Sequence, residues 1–463
     1  MPSADHPGRA PNHALRALLR ESEWTQEAFA RSIAALGAEA GIHLRYDRTS
    51  VAHWLRGSRP APRVRQLLAE ALSRRLGRLV TVPELGMGDV PAPQRARAAA
   101  NPADRLAALT NPVVGPPRAN TPPAAPYQLT LLTRPPGVRQ APQPRPPRSL
   151  FPSAGRGGRT VRRTSPDEVA SVREHARFFA QQADRHGGGH IRTPLAACLG
   201  GLVRRLRTGG EGPHHAQLLA GAARLSYLLA RVYADEQRNG LAQRAFLTAA
   251  DLAEEGGDLE GVALARRALS SQAHQLGHTG HSLALAESAC ETAPPDAEPS
   301  ARAFLYAGLA VARAAGGERV SAMEALRRAE YELARAPVDL TTGPESPNTE
   351  PVGSYQDAAL LYQAGQVRVA LGDRTGAIGE LRSSLRSRPA GERRSRALSH
   401  AELAELLLSC GRLEEACAAW QVFLEDCTLV RSGRTRRARD RMPRLLHPYA
   451  GEKCVQVLLQ RFP

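Results

Sequence analysis

The sequence predicts an all-α protein in three parts: a small helical domain over residues 1–90, a flexible linker over 91–165 and a helical repeat array over 166–463. Three observations predict this organisation. Apolar residues recur every three or four positions in four short N-terminal segments. The linker contains 16 prolines and few apolar residues. Beyond it, helical spacing continues and a glycine-led phrase recurs.

Four short helices are predicted in the first part, because Asn, Thr and Asp side chains can accept hydrogen bonds from first-turn amides. Their apolar stripes share one side and predict a small common core that includes Trp24, Phe29, Val51, Trp54 and Leu55. The predicted helices are His13 to about Glu21 after Asn12, Gln26 to about Ala40 after Thr25, Arg48 to Arg56 after Asp47, and Arg63 to about Leu76 after Pro60-Ala61-Pro62.

The third of these helices has two unlike faces. Val51, Trp54 and Leu55 lie on one face at three- and four-residue spacing. The other face is small, polar and basic, and consists of Arg48, Thr49, Ala52, His53 and Arg56. A short helix held by a buried aromatic side chain, with such an exposed face, suits the reading of bases in a DNA major groove. An amphipathic surface helix without a ligand is the alternative.

The segments WTQEAFARSI and TSVAHWLRG resemble the second and third helices of XRE-type helix-turn-helix repressors. The run LRYDRTSVAHWLRGSRPAPRVRQLLAEALSRRLGRLVTVPELGM is similar to the N-terminal module of Streptomyces (actinobacterial) regulators that join such a domain to tetratricopeptide repeats, and this resemblance covers residues 12–87. The chain departs from the usual short turn, since Gly37 to Tyr46 separate the two helices. The resemblance implies base contacts by Arg48, Thr49, Ser50 and His53, and phosphate contacts by Arg45, Arg56 and Arg59.

Positive charge is concentrated in the N-terminal third of the chain. The chain has a net charge of +17 and a pI near 10.6, and residues 91–164 alone hold 12 arginines and one acidic residue. Such a balance suits an acidic polymer as partner. Two interpretations of the linker stay open: its arginines add sequence-independent attraction to DNA, or it is a solvated spacer whose arginines reflect GC-rich coding.

Five phrases in the last part align on a glycine that is followed five residues later by a small residue. Helical hairpins of this length, with a glycine turn and a small residue where the helices cross, are typical of tetratricopeptide repeats. The longest step predicts an inserted loop over Pro337 to Gly353, and a capping helix is predicted from about Arg434 to Leu459. The aligned positions are Gly240, Gly277, Gly317, Gly372 and Gly411, with Ala245, Ser282, Ala322, Ala377 and Ala416, and the steps are 37, 40, 55 and 39 residues.

Enzymatic and metal-binding alternatives have weaker support. His186-Gly187-Gly188-Gly189 and Gly280-His281-Ser282 resemble the oxyanion loop and nucleophile elbow of esterases, but no β-branched run precedes the serine to form the required strand. The histidine pairs lack a third ligand at suitable spacing, and the six cysteines form no CxxC pair. We therefore expect no catalytic activity, no cofactor and no metal.

The sequence favours a cytoplasmic, nucleoid-associated transcriptional regulator that binds double-stranded DNA as a homodimer, with a peptide or protein on the concave face of the array and no membrane segment. The Streptomyces resemblance implies a repressor of differentiation or secondary metabolism. The alternative is a tetratricopeptide scaffold whose helix-turn-helix domain does not bind DNA. Clustered arginines at 45, 48, 56 and 59 favour DNA, whereas pairing of these arginines with Asp47, Glu21 or Glu23 favours the scaffold.

Overall fold

The computed structural model describes residues 10–88, 101–114, 126–132, 164–208, 210, 212–336 and 356–461. Across these ranges the chain forms nineteen α-helices and two short 3-10 helices, without a β-strand. The prediction of an all-α fold is therefore confirmed. The inserted loop predicted over 337–353 lies outside the described residues.

The N-terminal domain is built from four helices whose ends lie within one residue of the predicted ends. The predicted caps are made: Asn12, Thr25 and Asp47 each accept a hydrogen bond from the backbone amide three residues later. These side chains satisfy amides that have no partner inside the helix. The helices are α1 (His13–Glu21), α2 (Gln26–Glu39), α3 (Arg48–Leu55) and α4 (Pro62–Leu76).

The segment after α4 closes the core of this domain. Leu85 and Met87 are fully buried with the apolar faces of the four helices. Nδ2 of Asn12 donates to the carbonyl of Leu85 at 2.8 Å, so the start of α1 holds this segment in place. The core thus extends from Leu15 to Met87.

Two segments within 91–165 differ from the predicted flexible linker. Helix α5 (Pro102–Val114) buries Leu106 completely in the core of the array, and Tyr127 is also buried just before a 3-10 turn at Leu129–Leu131. A proline is favourable at the first position of a helix, and Asn101 caps α5 through the amide of Asp104. The prediction of a flexible linker, which was based on proline content, is therefore wrong for these two segments.

Fourteen further helices form the solenoid-like array, mostly as antiparallel pairs. The pairs α8/α9, α10/α11, α12/α13, α14/α15 and α16/α17 are successive hairpins. The bounds are α6 Pro166–His186, α7 Gly188–Arg207, α8 Pro213–Asp235, α9 Asn239–Glu255, α10 Leu259–Gln275, α11 Thr279–Thr292, α12 Pro299–Ala315, α13 Arg319–Ala334, α14 Asp357–Ala370, α15 Arg374–Ser387, α16 Arg393–Ser409, α17 Leu413–Cys427, α18 Gly433–Leu446 and α19 Lys453–Arg461, with a 3-10 turn at His447–Tyr449 between the last two.

The hairpin turns correct the predicted register of the first repeat. Four predicted turn glycines have positive φ angles of 74° to 85°, and each lies two residues before the second helix of its hairpin. In the first hairpin Gln237, with φ 64°, holds that position, while Gly240 lies inside α9. Ala242 therefore lies five residues after the turn, while the predicted Ala245 is buried as completely and its carbonyl accepts from Ser226 of α8.

Two boundaries in the array also differ from prediction. The helical spacing predicts a helix from about Pro194 to Leu206, whereas α7 begins at Gly188 and continues through Pro194 to Arg207. The predicted capping helix from Arg434 to Leu459 is two helices, because a 3-10 turn containing Pro448 interrupts it. Among the described helices, none is both long and apolar enough to cross a membrane.

The two ends of the array meet. The amide of Arg431 donates to the carbonyl of His186, and the amide of Gly189 donates to the carbonyl of Arg431. A Cβ on Gly187 would lie 2.5 Å from the Arg431 carbonyl oxygen, and one on Gly433 would lie 2.8 Å from the Asp235 carbonyl oxygen. The glycine run after His186 thus permits close backbone approach at this closure, which leaves a central cavity inside the array.

Candidate nucleic-acid interface

Helix α3 presents one face to the core and the other to solvent. Val51, Trp54 and Leu55 are at most 7% exposed. Tyr46, from the preceding loop, packs edge-on against Trp54 with ring centroids 5.1 Å apart. Two further aromatic residues were predicted in the core. Phe29 is fully buried, and Trp24 is half-buried, with the centroids of the two rings 5.8 Å apart. The exposed face of α3 is therefore fixed by tight packing behind it.

The long connection between α2 and α3 packs against the domain. The amide of Ile42 donates to the carbonyl of Gly37, and Leu44 folds back over that glycine. A Cβ at Gly37 would lie 2.7 Å from Cδ1 of Leu44, so only glycine fits beneath the loop. Together with Tyr46, this loop sets the position of α3.

The four predicted base-contacting residues differ in their exposure and in their hydrogen bonds. Arg48, Thr49 and His53 are exposed. Ser50 is half-buried, and its hydroxyl donates to Oδ1 of Asp47 at 2.8 Å. The same carboxylate accepts from the Ser50 amide, and these two bonds hold the pKa of Asp47 below its usual value. Ser50 thus serves in the cap of α3, and Arg48, Thr49 and His53 remain as exposed candidates for base contact.

The three predicted phosphate-contacting arginines are exposed and surround that face. Arg56 folds along α3, with Nη2 3.3 Å from Nδ1 of His53. Within the described ranges no carboxylate pairs with Arg45, Arg48, Arg56 or Arg59. The nearby acids are otherwise engaged. Glu21 accepts a hydrogen bond from Arg78 at 2.8 Å, which lowers the pKa of that carboxyl, and Asp47 caps α3.

A different surface of the domain, on α2 and α4, docks on the array through a buried charge network. Arg74 donates to both oxygens of Glu39, at 2.9 and 3.0 Å, and to Oε1 of Glu70 at 2.7 Å. Two array residues complete the network. Asn239 donates to Glu39 at 2.9 Å, and Nε2 of His278 lies 3.1 Å from Oε1 of Glu70. Burial would lower the pKa of Arg74, but the two carboxylates outweigh it and raise that pKa.

The docked arrangement includes a residue from the linker. The ring of Tyr127 stacks on His278 with centroids 5.4 Å apart. This contact and the charge network use α2, α4, α9 and the turn before α11, and the array leaves the exposed face of α3 uncovered. The sequence does not indicate this network, because the residues that join the domain to the array lie far apart in the chain. Glu39 and Asn239 are 200 positions apart, and Glu70 and His278 are 208 positions apart.

The central cavity is lined by residues from all five hairpins and has a volume of about 320 Å³. Its lining mixes charges: Arg394 donates to the buried Asp235 at 2.7 Å, and Arg231 donates to Asp184 at 3.2 Å. Tyr362 donates to Glu402 at 2.6 Å behind this lining. Oδ2 of Asp235 has no hydrogen-bond partner in the described residues. Oε1 of Gln272, also in the lining, is a second buried acceptor without a partner in these ranges, so the cavity lining is polar.

The residues considered for catalysis and metal binding are placed differently from what those functions require. Ser282 is 1% exposed, and its carbonyl accepts from Ser270 where α10 and α11 cross. His278 is buried in the docking network. Within the described ranges no three His, Cys, Asp or Glu side chains come together as a metal site.

Residues 15–88 match a family model described as the SP15 N-terminal domain. The match has nearly the same limits as the core of the small domain, from Leu15 to Met87. No curated protein matches the chain. The similarity therefore concerns the N-terminal domain alone.

Proposed function

We propose that this protein is a DNA-binding transcriptional regulator. In this proposal α3 enters the major groove, with Arg48, Thr49 and His53 at the base edges and Arg45, Arg56 and Arg59 at the phosphates. The observation that carries it is the exposed basic face of α3, whose arginines lack carboxylate partners in the described part of the chain. Unpaired arginines are available to displace counterions from DNA.

The docking of the domain supports this role. The array leaves the exposed residues of α3 uncovered, so DNA can approach them without displacing the array. Rigid placement also favours a fixed spacing between two reading helices if two chains associate. We infer a homodimer on this ground, because one half-site gives few base contacts.

The array is proposed to receive a peptide or protein partner. A cavity of about 320 Å³ is near the lower end of the range for ligand pockets, so it admits only a short terminal segment of such a partner. Paired charges in its lining favour a polar chain end. The proposal also includes that the protein is a repressor and that it is located in the cytoplasm at the nucleoid.

Salt dependence of duplex DNA binding by the full chain tests the DNA-binding role. The logarithm of affinity should fall linearly with the logarithm of salt concentration, with a slope of about −0.9 per phosphate contact. Arg45→Ala and Arg59→Ala should each reduce that slope by about 1, whereas Arg444→Ala, on α18, should leave it unchanged. A slope that none of these substitutions alters contradicts the proposed face and favours the scaffold alternative.

A further inference from the structure

A second cavity, the seam pocket, lies where the ends of the array meet. Its volume is about 390 Å³. Three chain segments line it: the start of α7, the turn between α8 and α9, and the segment that leads into α18. Its charged lining residues are Arg192, Glu236, Arg238, Arg431, Arg436 and Arg439. The seam pocket shares no residue with the proposed DNA face or with the central cavity.

The charges in the seam pocket are unbalanced. Glu236 is the only carboxylate in the lining, and its Oε2 lies 2.7 Å from Arg192 and 3.4 Å from Arg238. Arg431 and Arg436 have no carboxylate partner in the described ranges, and Arg439 is 4.0 Å from Asp440, at the limit of an ion pair. Five arginines thus line one cavity with a single, partly buried carboxylate among the lining residues. Like charges around one cavity repel one another, and an anion bound between them lowers that repulsion.

We propose that the seam pocket binds a compact oligophosphate anion, either inorganic or the phosphate tail of a nucleotide. Arginine is suited to phosphate because its planar guanidinium donates two parallel hydrogen bonds and stays charged. A single carboxylate would neutralise only one of the unpaired arginines. An oligophosphate carries several charges within a length that the pocket accommodates, and so matches arginines from all three segments.

Binding at this position has a structural consequence. The anion bridges the segment before α18 to α7 and to the α8/α9 turn, and so reinforces the closure made by the two Arg431 backbone hydrogen bonds. Arg238 also directly precedes Asn239, whose side chain holds Glu39 of the N-terminal domain. The occupied pocket therefore stabilises the closed array next to the docking network.

Calorimetric titration of the full chain with pyrophosphate, tripolyphosphate and ATP, at about 150 mM salt and without DNA, tests the proposal. Arg436→Gln combined with Arg439→Gln is the informative variant, because both side chains are exposed and outside the core. We expect this variant to lose at least about tenfold in affinity, the order expected when charged hydrogen bonds of about 1.5–3 kcal/mol are removed. Arg444→Gln removes one charge outside the pocket on the same helix, and this variant should bind as the unmodified chain does.

The arms of this titration distinguish the sources. Tighter binding of tripolyphosphate than of ATP supports an inorganic ligand, and the reverse supports a nucleotide. Absence of binding by all three compounds overturns the proposal, as does equal weakening by Arg444→Gln. Displacement of bound tripolyphosphate by a short duplex would overturn it in favour of a second DNA contact. Failure here leaves DNA reading by α3 untouched, because the two sites share no residue.

Discussion

Nε2 of His278, at the turn of the second hairpin, lies 3.1 Å from Oε1 of Glu70 on α4, and both side chains are at least 95% buried. This contact joins the N-terminal domain to the array across 208 positions of sequence. The two parts should therefore unfold in a coupled manner. Glu70→Ala and His278→Ala should each destabilise the chain, with an interaction energy of about 0.5–3 kcal/mol in a double-mutant cycle. Additive effects in urea denaturation would contradict this coupling.

The exposed face of α3 predicts which substitutions change sequence recognition. Arg48→Ala and His53→Ala should each weaken binding to a selected site by about 1–3 kcal/mol and weaken non-specific binding less. Arg444→Ala removes one exposed charge from the array and serves as the control. Fluorescence anisotropy with specific and scrambled duplexes measures both affinities. Equal losses for the two duplexes would mean that these side chains do not read bases.

The buried face of α3 predicts a stability effect. Trp54 is 5% exposed and packs against Tyr46, so Trp54→Ala should leave a cavity that costs about 3–5 kcal/mol. His53→Ala, at the exposed neighbouring position, should change stability by less than about 0.5 kcal/mol. Thermal denaturation followed by circular dichroism compares them. Similar melting temperatures for the two variants would be incompatible with the described packing.

Closure of the array depends on glycine. Gly187 has φ 83°, and an added Cβ would lie 2.5 Å from the Arg431 carbonyl oxygen, so Gly187→Ala should disrupt the seam. Gly200→Ala is the matched control, because a Cβ there meets nothing within 4 Å inside α7 and should stabilise that helix by up to about 1 kcal/mol. Hydrogen exchange at residues 430–433 should accelerate only in the first variant. Protection unchanged by Gly187→Ala would refute the closure.

Two partly buried histidines predict acid sensitivity of the array. Burial lowers the pKa of His274, with a further contribution from Arg267, and burial also lowers the pKa of His400. The folded chain therefore binds fewer protons than the unfolded chain just below pH 6.5. Stability should fall as the pH drops from 6.5 through the folded pKa values, by at most about 1.4 kcal/mol per pH unit and histidine.

The same pH series separates these histidines from other groups. His274→Gln with His400→Gln should flatten the decrease in melting temperature between pH 6.5 and pH 5. His214→Gln, at an exposed position, should leave the decrease as it is. An unchanged slope in the double variant would assign the acid sensitivity to other groups.

Local signals predicted local structure well. Asn12, Thr25 and Asp47 were recognised as caps because capping needs only a suitable side chain near the free amides of the same helix. The repeat turns were found through glycine, and the one error followed from the same rule. Gln237 has the positive φ that glycine usually adopts at this turn. Gly240, three residues later, lies inside α9 but is the nearest glycine, so the sequence pattern places the turn there.

Contacts between segments that are distant in sequence could not be predicted from the pattern of residues. Tyr127 lies in a proline-rich stretch, and its burial depends on His278, which is 151 positions away. The docking network and the seam pocket arise in the same way, from surfaces brought together by the closure of the array. The exposed face of α3, by contrast, lies on one short helix, so three- and four-residue spacing alone separates it from the buried face. Only Ser50 was assigned a role that its hydrogen bonds to Asp47 argue against.

Selection from a pool of random duplex DNA by the full chain, at about 150 mM salt, tests most directly whether α3 reads DNA, because non-specific attraction is weak at that salt concentration. We expect one enriched site with two-fold symmetry, and we expect Arg48→Ala combined with His53→Ala to lose that enrichment while it remains folded. No enrichment by the folded chain, or equal enrichment of the same site by the variant, would contradict DNA reading by α3.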